Sequence, residues 1–123
     1  MAEKQCNLIK NEGGMSKYST SEVLTGDTWI DGKPIYRKVI EATSPSSANT
    51  NTTVYSGLTS DMFIVNMYGG VYIANFTYAP LCYQLDNNDK CITWRRDATN
   101  IGMNVGSTFV NKAVKIIIEY TKN

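Results

Sequence analysis

The residues from Ala113 to Thr121, AVKIIIEYT, alternate strictly between two sets of side chains. The two sets are Val114, Ile116, Ile118 and Tyr120, and Lys115, Ile117, Glu119 and Thr121. Successive side chains of a β-strand point to opposite faces, so this period of two predicts a strand with one fully apolar face. Together with the other short strands, which are closely spaced and joined by Gly and Asn turns, this strand favours an antiparallel sandwich or barrel.

A β-hairpin is predicted between Trp29 and Lys38, WIDGKPIYRK. Asp31-Gly32 is its turn signal, because glycine accepts the positive φ that a tight turn requires. Pro34 has no N–H to donate, so the returning strand should begin there or lie at a sheet edge. We expect that strand to run from Ile35 to about Glu41.

The aromatic residues of this hairpin allow two interpretations. Trp29 and Tyr36 are expected to pack across the hairpin as structural anchors, although an aromatic platform for a sugar ring stays open. Asp31 is expected to accept a hydrogen bond from the backbone of its own turn rather than to bind a ligand.

Several further segments also indicate strands. Met62–Tyr68 has the composition of a largely buried strand, and Gly69-Gly70 predicts a turn into a second strand from Val71 to Tyr78, which Pro80 ends. Thr43–Thr53 contains no large apolar residue and is expected to form a solvated loop. Weaker strand signals lie at Leu81–Leu85, Cys91–Arg95 and Met103–Val105, with turns at Asp86–Asp89 and Arg96–Asn100.

The composition agrees with these strands, since Thr, Val, Ile and eight Tyr residues are plentiful while helix-favouring residues are sparse. We therefore predict an all-β chain with an antiparallel β-sandwich of jelly-roll-like type. Residues 18–123 are expected to form the sandwich domain, and residues 1–17 an N-terminal arm or linker that ends near Gly13-Gly14.

Charge and residue content exclude several classes of function. A net charge of +1 without clustered Lys and Arg argues against nucleic-acid binding. No apolar run approaches the ~20 residues of a membrane helix, so no membrane insertion is expected. The first residues lack the apolar core of a secretory signal, which favours synthesis in a cytoplasm.

Histidine is absent from the chain. Ser-His and Cys-His nucleophile pairs and His-ligated metal sites are therefore excluded, and no enzyme activity, cofactor or metal is predicted. The three cysteines, Cys6, Cys82 and Cys91, lack Cys-x-x-Cys spacing and form a poor disulfide or zinc framework. A single bridge between Cys82 and Cys91 across a hairpin stays open.

Candidate binding residues lie at Trp94, Arg95, Arg96 and Asp97. This group places an aromatic ring and two guanidinium groups beside a predicted turn, a combination enriched at binding hot spots. The alternative is that one arginine pairs with Asp97 as an ordinary surface ion pair. The oxygen-rich segment Asp86–Asp89 does not match the spacing of a calcium-binding EF-hand loop and is interpreted as a turn.

Two blocks resemble a family of phage and prophage structural domains of Gram-positive bacteria. The first is Tyr18-Ser19-Thr20 followed by GDTWIDGKPIYRK at 26–38, and the second is IEYTK at 118–122. The resemblance implies a compact β-sandwich at the distal end of a tail, baseplate or fibre. Such domains are often homotrimers that contact other virion proteins and host-surface glycans.

The expected function is therefore that of a virion tail component, made in the bacterial host cytoplasm, which serves attachment to a host-surface glycan or assembly of the fibre tip. The family's block usually belongs to a longer polypeptide, whereas here it nearly fills the chain. A stand-alone carbohydrate-binding β-sandwich is the alternative. A small glycan hydrolase with an unrecognised pair of carboxylates is a third hypothesis.

Overall fold

The computed structural model describes residues 17–74, 77–80, 83–84 and 91–123. Within these ranges the regular structure consists of strands and one short 3₁₀ helix, Ser107–Phe109. The strands are β1 (Val23–Thr28), β2 (Pro34–Thr43), β3 (Thr52–Tyr55), β4 (Met62–Ala74), β5 (Thr77–Pro80), β6 (Tyr83–Gln84), β7 (Cys91–Asp97), β8 (Asn100–Val105) and β9 (Ala113–Lys122). The predicted all-β fold is confirmed.

The strands form two sheets, and the predicted antiparallel β-sandwich is confirmed. The five-stranded sheet has the order β1-β2-β9-β4-β5, and the four-stranded sheet has the order β3-β8-β7-β6. Early strands thus lie beside late ones, with β2 next to β9 and β3 next to β8. Three of the seven strand pairings in the described part of the chain, β2–β9, β9–β4 and β3–β8, therefore join distant parts of the sequence, a topology that local sequence signals specify poorly.

The chain divides into two compact units. The first unit contains the chain up to Val39 together with Asp61–Met67 and Ile117–Asn123, and the second contains Ile40–Ser60 and Tyr68–Ile116. In the first unit, Ile118 and Tyr120 of β9 are fully buried. The second unit buries Val114 and Ile116 of the same strand, each 1% exposed, so the predicted alternation of β9 is confirmed as far as Tyr120, beyond which Thr121 of the opposite face is buried too.

The core of the second unit is apolar. Its buried residues are Ile40, Leu58, Val71, Ala79, Ile92, Ile101, Met103, Val105, Phe109, Val114 and Ile116. One buried polar group, Ser44 at the end of β2, satisfies the backbone there: its Oγ donates to the Phe109 carbonyl at 2.5 Å and accepts from the Lys112 N–H at 2.8 Å. This finding corrects the prediction that Thr43–Thr53 is wholly a solvated loop, because its start is buried and its end lies in β3.

The turn and the returning strand of the predicted hairpin are confirmed, but the first strand, β1, ends at Thr28, before the predicted start of the hairpin at Trp29. Gly32 has φ +87°, and its N–H donates to the Trp29 carbonyl at 2.9 Å. The Lys33 N–H donates to Asp31 Oδ1 at 3.0 Å, as predicted for the turn carboxylate. The returning strand begins at Pro34.

The expected packing of Trp29 on Tyr36 is wrong. Tyr36 lies opposite Leu24 in the β1–β2 register, because Trp29 belongs to the turn and not to β1. Tyr36 stacks instead on Tyr120, with ring centroids 5.9 Å apart and planes inclined by 21°. The hairpin is therefore anchored to β9 by an aromatic pair that joins distant parts of the sequence.

The predicted turn at Gly69-Gly70 is also wrong, because β4 continues through both glycines to Ala74. A Cβ at Gly69, which has φ +140°, would collide with the carbonyl oxygen of Lys115 on β9. The pair therefore permits close contact between two strands and does not reverse the chain. The segment before it is also less buried than expected, since Phe63 is 53% exposed.

The β7–β8 hairpin turns at Ala98-Thr99, a narrower turn than the predicted Arg96–Asn100, and Ala98 adopts φ +54°. The strands predicted at Cys91–Arg95 and Met103–Val105 are present in longer form as β7 and β8. The predicted arm up to Ser16, the turn Asp86–Asp89 and Cys82 lie outside the described residues, so the Cys82–Cys91 pairing does too.

Candidate functional site

The four predicted binding residues lie on β7, but the strand divides them between its two faces. Arg95 and Asp97 are on the solvent side, where their side chains are 57% and 71% exposed and lie 4.0 Å apart. Trp94 and Arg96 alternate with them and are half-buried. The four side chains therefore do not form one cluster.

Arg96 has a structural role. Its Nε donates to the Ala98 carbonyl at 2.8 Å and its Nη2 donates to the Thr59 carbonyl at 3.0 Å. The side chain thus ties the segment that precedes β4 to the β7–β8 turn. Trp94 Nε1 is buried and meets no acceptor among the described residues.

Arg95 and Asp97 contribute to a small polar notch on the four-stranded sheet. Gly102 on β8 pairs with Thr53 on one side and with Arg95 on the other, so its missing side chain leaves a gap between them. The notch is lined by Asn51, Thr52, Thr53, Arg95, Asp97 and Gly102 and has a volume of about 40 Å³. Because roughly 10–15 Å³ of such volume is enough for one water molecule, the notch admits a few waters or ligand hydroxyls but does not enclose a sugar ring.

A larger groove lies on the five-stranded sheet, within the second unit. Among the described residues it is lined by Gly70 and Tyr72 of β4 and by Ala113 and Lys115 of β9. Its volume is about 360 Å³. This value falls at the lower end of the roughly 300–1,000 Å³ typical of small-molecule sites. We call it the Tyr72 groove.

The glycines of β4 explain why the groove exists. Gly70 presents no side chain, and a Cβ at that position would approach the Ala79 carbonyl of β5 to 3.0 Å. A glycine inside a strand weakens it and often marks a place where a ligand or another backbone comes close. The gap above Gly70 lies next to the ring of Tyr72, which is 38% exposed. Among the described residues, the floor is thus strand backbone at Gly70 and the wall is the ring of Tyr72.

A charged pair borders the groove. Lys115 Nζ forms an ion pair and hydrogen bond with Glu41 Oε2 of β2, and the two side chains are 65% and 59% exposed. The hydrogen bond and the charge of Lys115 lower the pKa of Glu41 below its ordinary value of 4.5, so the carboxylate is ionised at neutral pH. Among the described residues, the groove therefore combines a mainly apolar lining with one cation, Lys115, whose ammonium group holds the Glu41 carboxylate next to the groove.

The described residues contain no group of three or more His, Cys, Asp or Glu side chains that could hold a metal ion. In the same part of the chain, no helix is long and apolar enough to cross a membrane.

Comparisons with known proteins gave no match: no family model, no curated protein and no solved structure is detectably similar to this chain.

Sequence reasoning missed the Tyr72 groove. Gly69-Gly70 was interpreted as a turn, so β4 was predicted as two separate strands. The close approach of β9 to Gly69 was therefore not predicted. A usable signal was present, because Tyr72 and Val71 alternate between an exposed and a fully buried face. The contribution of Ala113 and Lys115 depends on the pairing of β4 with β9, which no local pattern predicts.

Proposed function

We propose that this chain is a fibre-tip or tail-tip domain of a phage or prophage that binds a saccharide on the host cell surface. The phage context is supported by the resemblance of the blocks at 18–38 and 118–122, and the sandwich fold is compatible with it. The proposal describes a binding domain without catalytic activity.

The observation that carries the proposal is the Tyr72 groove. Sugar rings present an apolar face of C–H groups and a periphery of hydroxyls. The groove offers the matching pair of surfaces, an aromatic ring beside the backbone of Gly70 and a charged pair at its border. The polar notch at Arg95 and Asp97 has no aromatic ring among the described residues that line it and has about one ninth of the volume (40 against 360 Å³), so it is the weaker candidate.

Binding to an array of bacterial surface polysaccharides and simple oligosaccharides tests the proposal directly. We expect the wild-type chain to bind a subset of the array, and Tyr72→Ala to weaken binding about tenfold, the loss expected from one aromatic stacking contact. Tyr72→Phe keeps the ring and should retain most of the affinity. Ala113→Trp, at an exposed position, fills the groove without removing the tyrosine and should abolish binding.

Arg95→Ala is the matched control for the predicted site on β7. If Arg95→Ala lost binding while Tyr72→Ala bound fully, the saccharide site would lie at the notch, and the proposal that the Tyr72 groove is the site would be wrong. Urea unfolding of each variant separates lost binding from lost folding.

A stand-alone carbohydrate-binding module would share this groove, and the assembly state separates it from a fibre tip. The family resemblance predicts a homotrimer, which for a 13.7 kDa chain has a mass of about 41 kDa (3 × 13.7). Analytical ultracentrifugation at micromolar concentration measures this mass. A monomer would contradict the fibre-tip assignment and favour the stand-alone module.

A further inference from the structure

The charge at the border of the Tyr72 groove limits which saccharides the groove can accept. Of the described residues that line it, only Lys115 is charged, and its ammonium group is already bound by the Glu41 carboxylate. A ligand atom in hydrogen-bond contact with Lys115 Nζ therefore also lies close to a negative charge. The net charge that a ligand meets at this border is near zero.

A neutral hydroxyl group is well suited to such a pair. It can accept a hydrogen bond from the ammonium group and donate one to the carboxylate, because a hydroxyl is both a donor and an acceptor. A carboxylate, sulfate or phosphate can only accept. It would be attracted by Lys115 and repelled by Glu41 at similar distances, so the desolvation of its charge would not be offset.

The Glu41 carboxylate stays negatively charged at neutral pH and therefore still repels an anionic ligand. Lys115 lowers the pKa of Glu41, so Glu41 is not protonated to relieve the repulsion. Both side chains are more than half exposed, so each can reach a ligand without a change in the backbone. The net charge of +1 for the whole chain also provides little long-range attraction for anions.

We propose that the Tyr72 groove selects neutral saccharides over those that carry an anionic group at the position contacting Lys115, with Glu41 as the residue that sets this selectivity. The inference rests on the proposed saccharide-binding function. It assigns a ligand class to the groove and a specificity role to a residue that sequence analysis did not single out.

A pair of matched probes tests the selectivity: a glucose oligosaccharide, and its counterpart in which each C6 hydroxymethyl is oxidised to a carboxylate. The two present similar ring faces to Tyr72 and differ in charge. By calorimetric titration at pH 7 and low salt, we expect the wild-type chain to bind the neutral probe at least about fivefold more tightly, as expected from one exposed charge contact.

Glu41→Gln should tighten binding of the anionic probe about fivefold and change the neutral probe by less than twofold, because the amide removes the repulsion and keeps an acceptor. Asp97→Asn removes one negative charge at the notch and serves as the control for net charge. It should leave the ratio of the two affinities unchanged.

The possible failures are distinguishable. Equal or tighter binding of the anionic probe by the wild-type chain, or an unchanged ratio in Glu41→Gln, would overturn the selectivity and leave saccharide binding intact. If both of these probes and every saccharide of the array fail to bind the folded wild-type chain, saccharide binding and the selectivity that rests on it are both overturned.

Discussion

At the scale of single residues, Gly69 and Gly32 are both glycines with positive φ, but they meet different surroundings. Gly32 (φ +87°) has nothing within 4 Å of the position where a Cβ would stand. Gly69 (φ +140°) faces the Lys115 backbone, where a Cβ has no room. The first glycine is required by conformation alone, and the second by conformation and by contact between strands.

This difference gives a prediction about stability. Gly32→Ala should lower the free energy of unfolding by about 1–2 kcal/mol, the cost of a left-handed conformation for a residue with a Cβ. Gly69→Ala should lower it by about 3 kcal/mol or more, because backbone displacement adds to that strain. Urea unfolding of both variants measures the two values. Equal losses would show that β4 and β9 do not approach as closely as described.

At the scale of elements, the sequence predicted correctly those features that depend on residues close together in the chain. The β1–β2 turn at Gly32 depends on hydrogen bonds among residues 29–33, all of which the sequence places together. The alternation of β9 likewise shows which of its faces is buried, since period two is a property of any strand. These two elements were predicted with nearly correct bounds.

The errors arose where the sequence pattern had two physical meanings. A Gly-Gly pair permits a tight turn, and it also permits another backbone to approach a strand. At Gly69-Gly70 the outcome depends on β9, which lies more than forty residues away in sequence and approaches the strand there. The pairing of β2 with β9 likewise places Tyr36 against Tyr120 instead of Trp29.

The candidate site also depends on contacts between strands that local sequence patterns do not predict. The alternative interpretation at β7, a surface ion pair between one arginine and Asp97, matches the 4.0 Å pair of Arg95 and Asp97, and the alternation of β7 separates these two residues from Trp94 and Arg96. Tyr72 forms the aromatic wall of the larger groove because β4 and β9 are neighbours in the sheet. A site built across strands cannot be predicted until the strand order is known.

At the scale of the whole molecule, a cluster of side chains joins residues from near both ends of the described chain within the first unit. The Tyr120 hydroxyl donates to Glu22 Oε1 at 2.5 Å, and Lys122 Nζ donates to Glu22 Oε2 at 2.7 Å. Lys122 also lies 4.5 Å from the ring centroid of Tyr36. Glu22 thus connects the segment before β1 to the closing strand β9, 98 residues away at Tyr120.

The protonation of Glu22 couples this cluster to pH. Partial burial raises the pKa of Glu22, but the hydrogen bonds from Lys122 and Tyr120 and the nearby positive charges outweigh it, so the net pKa lies below 4.5. A carboxylate whose pKa is lowered by folding stabilises the fold above its unfolded pKa, and this contribution disappears as the pH falls through the folded value. The hydrogen bond with Glu22 raises the pKa of Lys122 above 10.5, so its contribution is fully present below that pH.

We therefore expect Glu22→Gln to flatten the acid side of the stability profile. At pH 7 the variant should be less stable than the wild-type chain by about 0.5–1 kcal/mol, a modest value because Glu22 is partly exposed. The difference should shrink as the pH falls from about 5 to 3, since the wild-type carboxylate becomes protonated there. Urea midpoints measured at pH 7, 5, 4 and 3 give both curves. Asp97→Asn, which removes an exposed carboxylate 4.0 Å from Arg95, is the control for the loss of one negative charge. If the curve of Glu22→Gln ran parallel to the wild-type curve, the closing contact between Glu22 and β9 would not be the origin of the acid sensitivity.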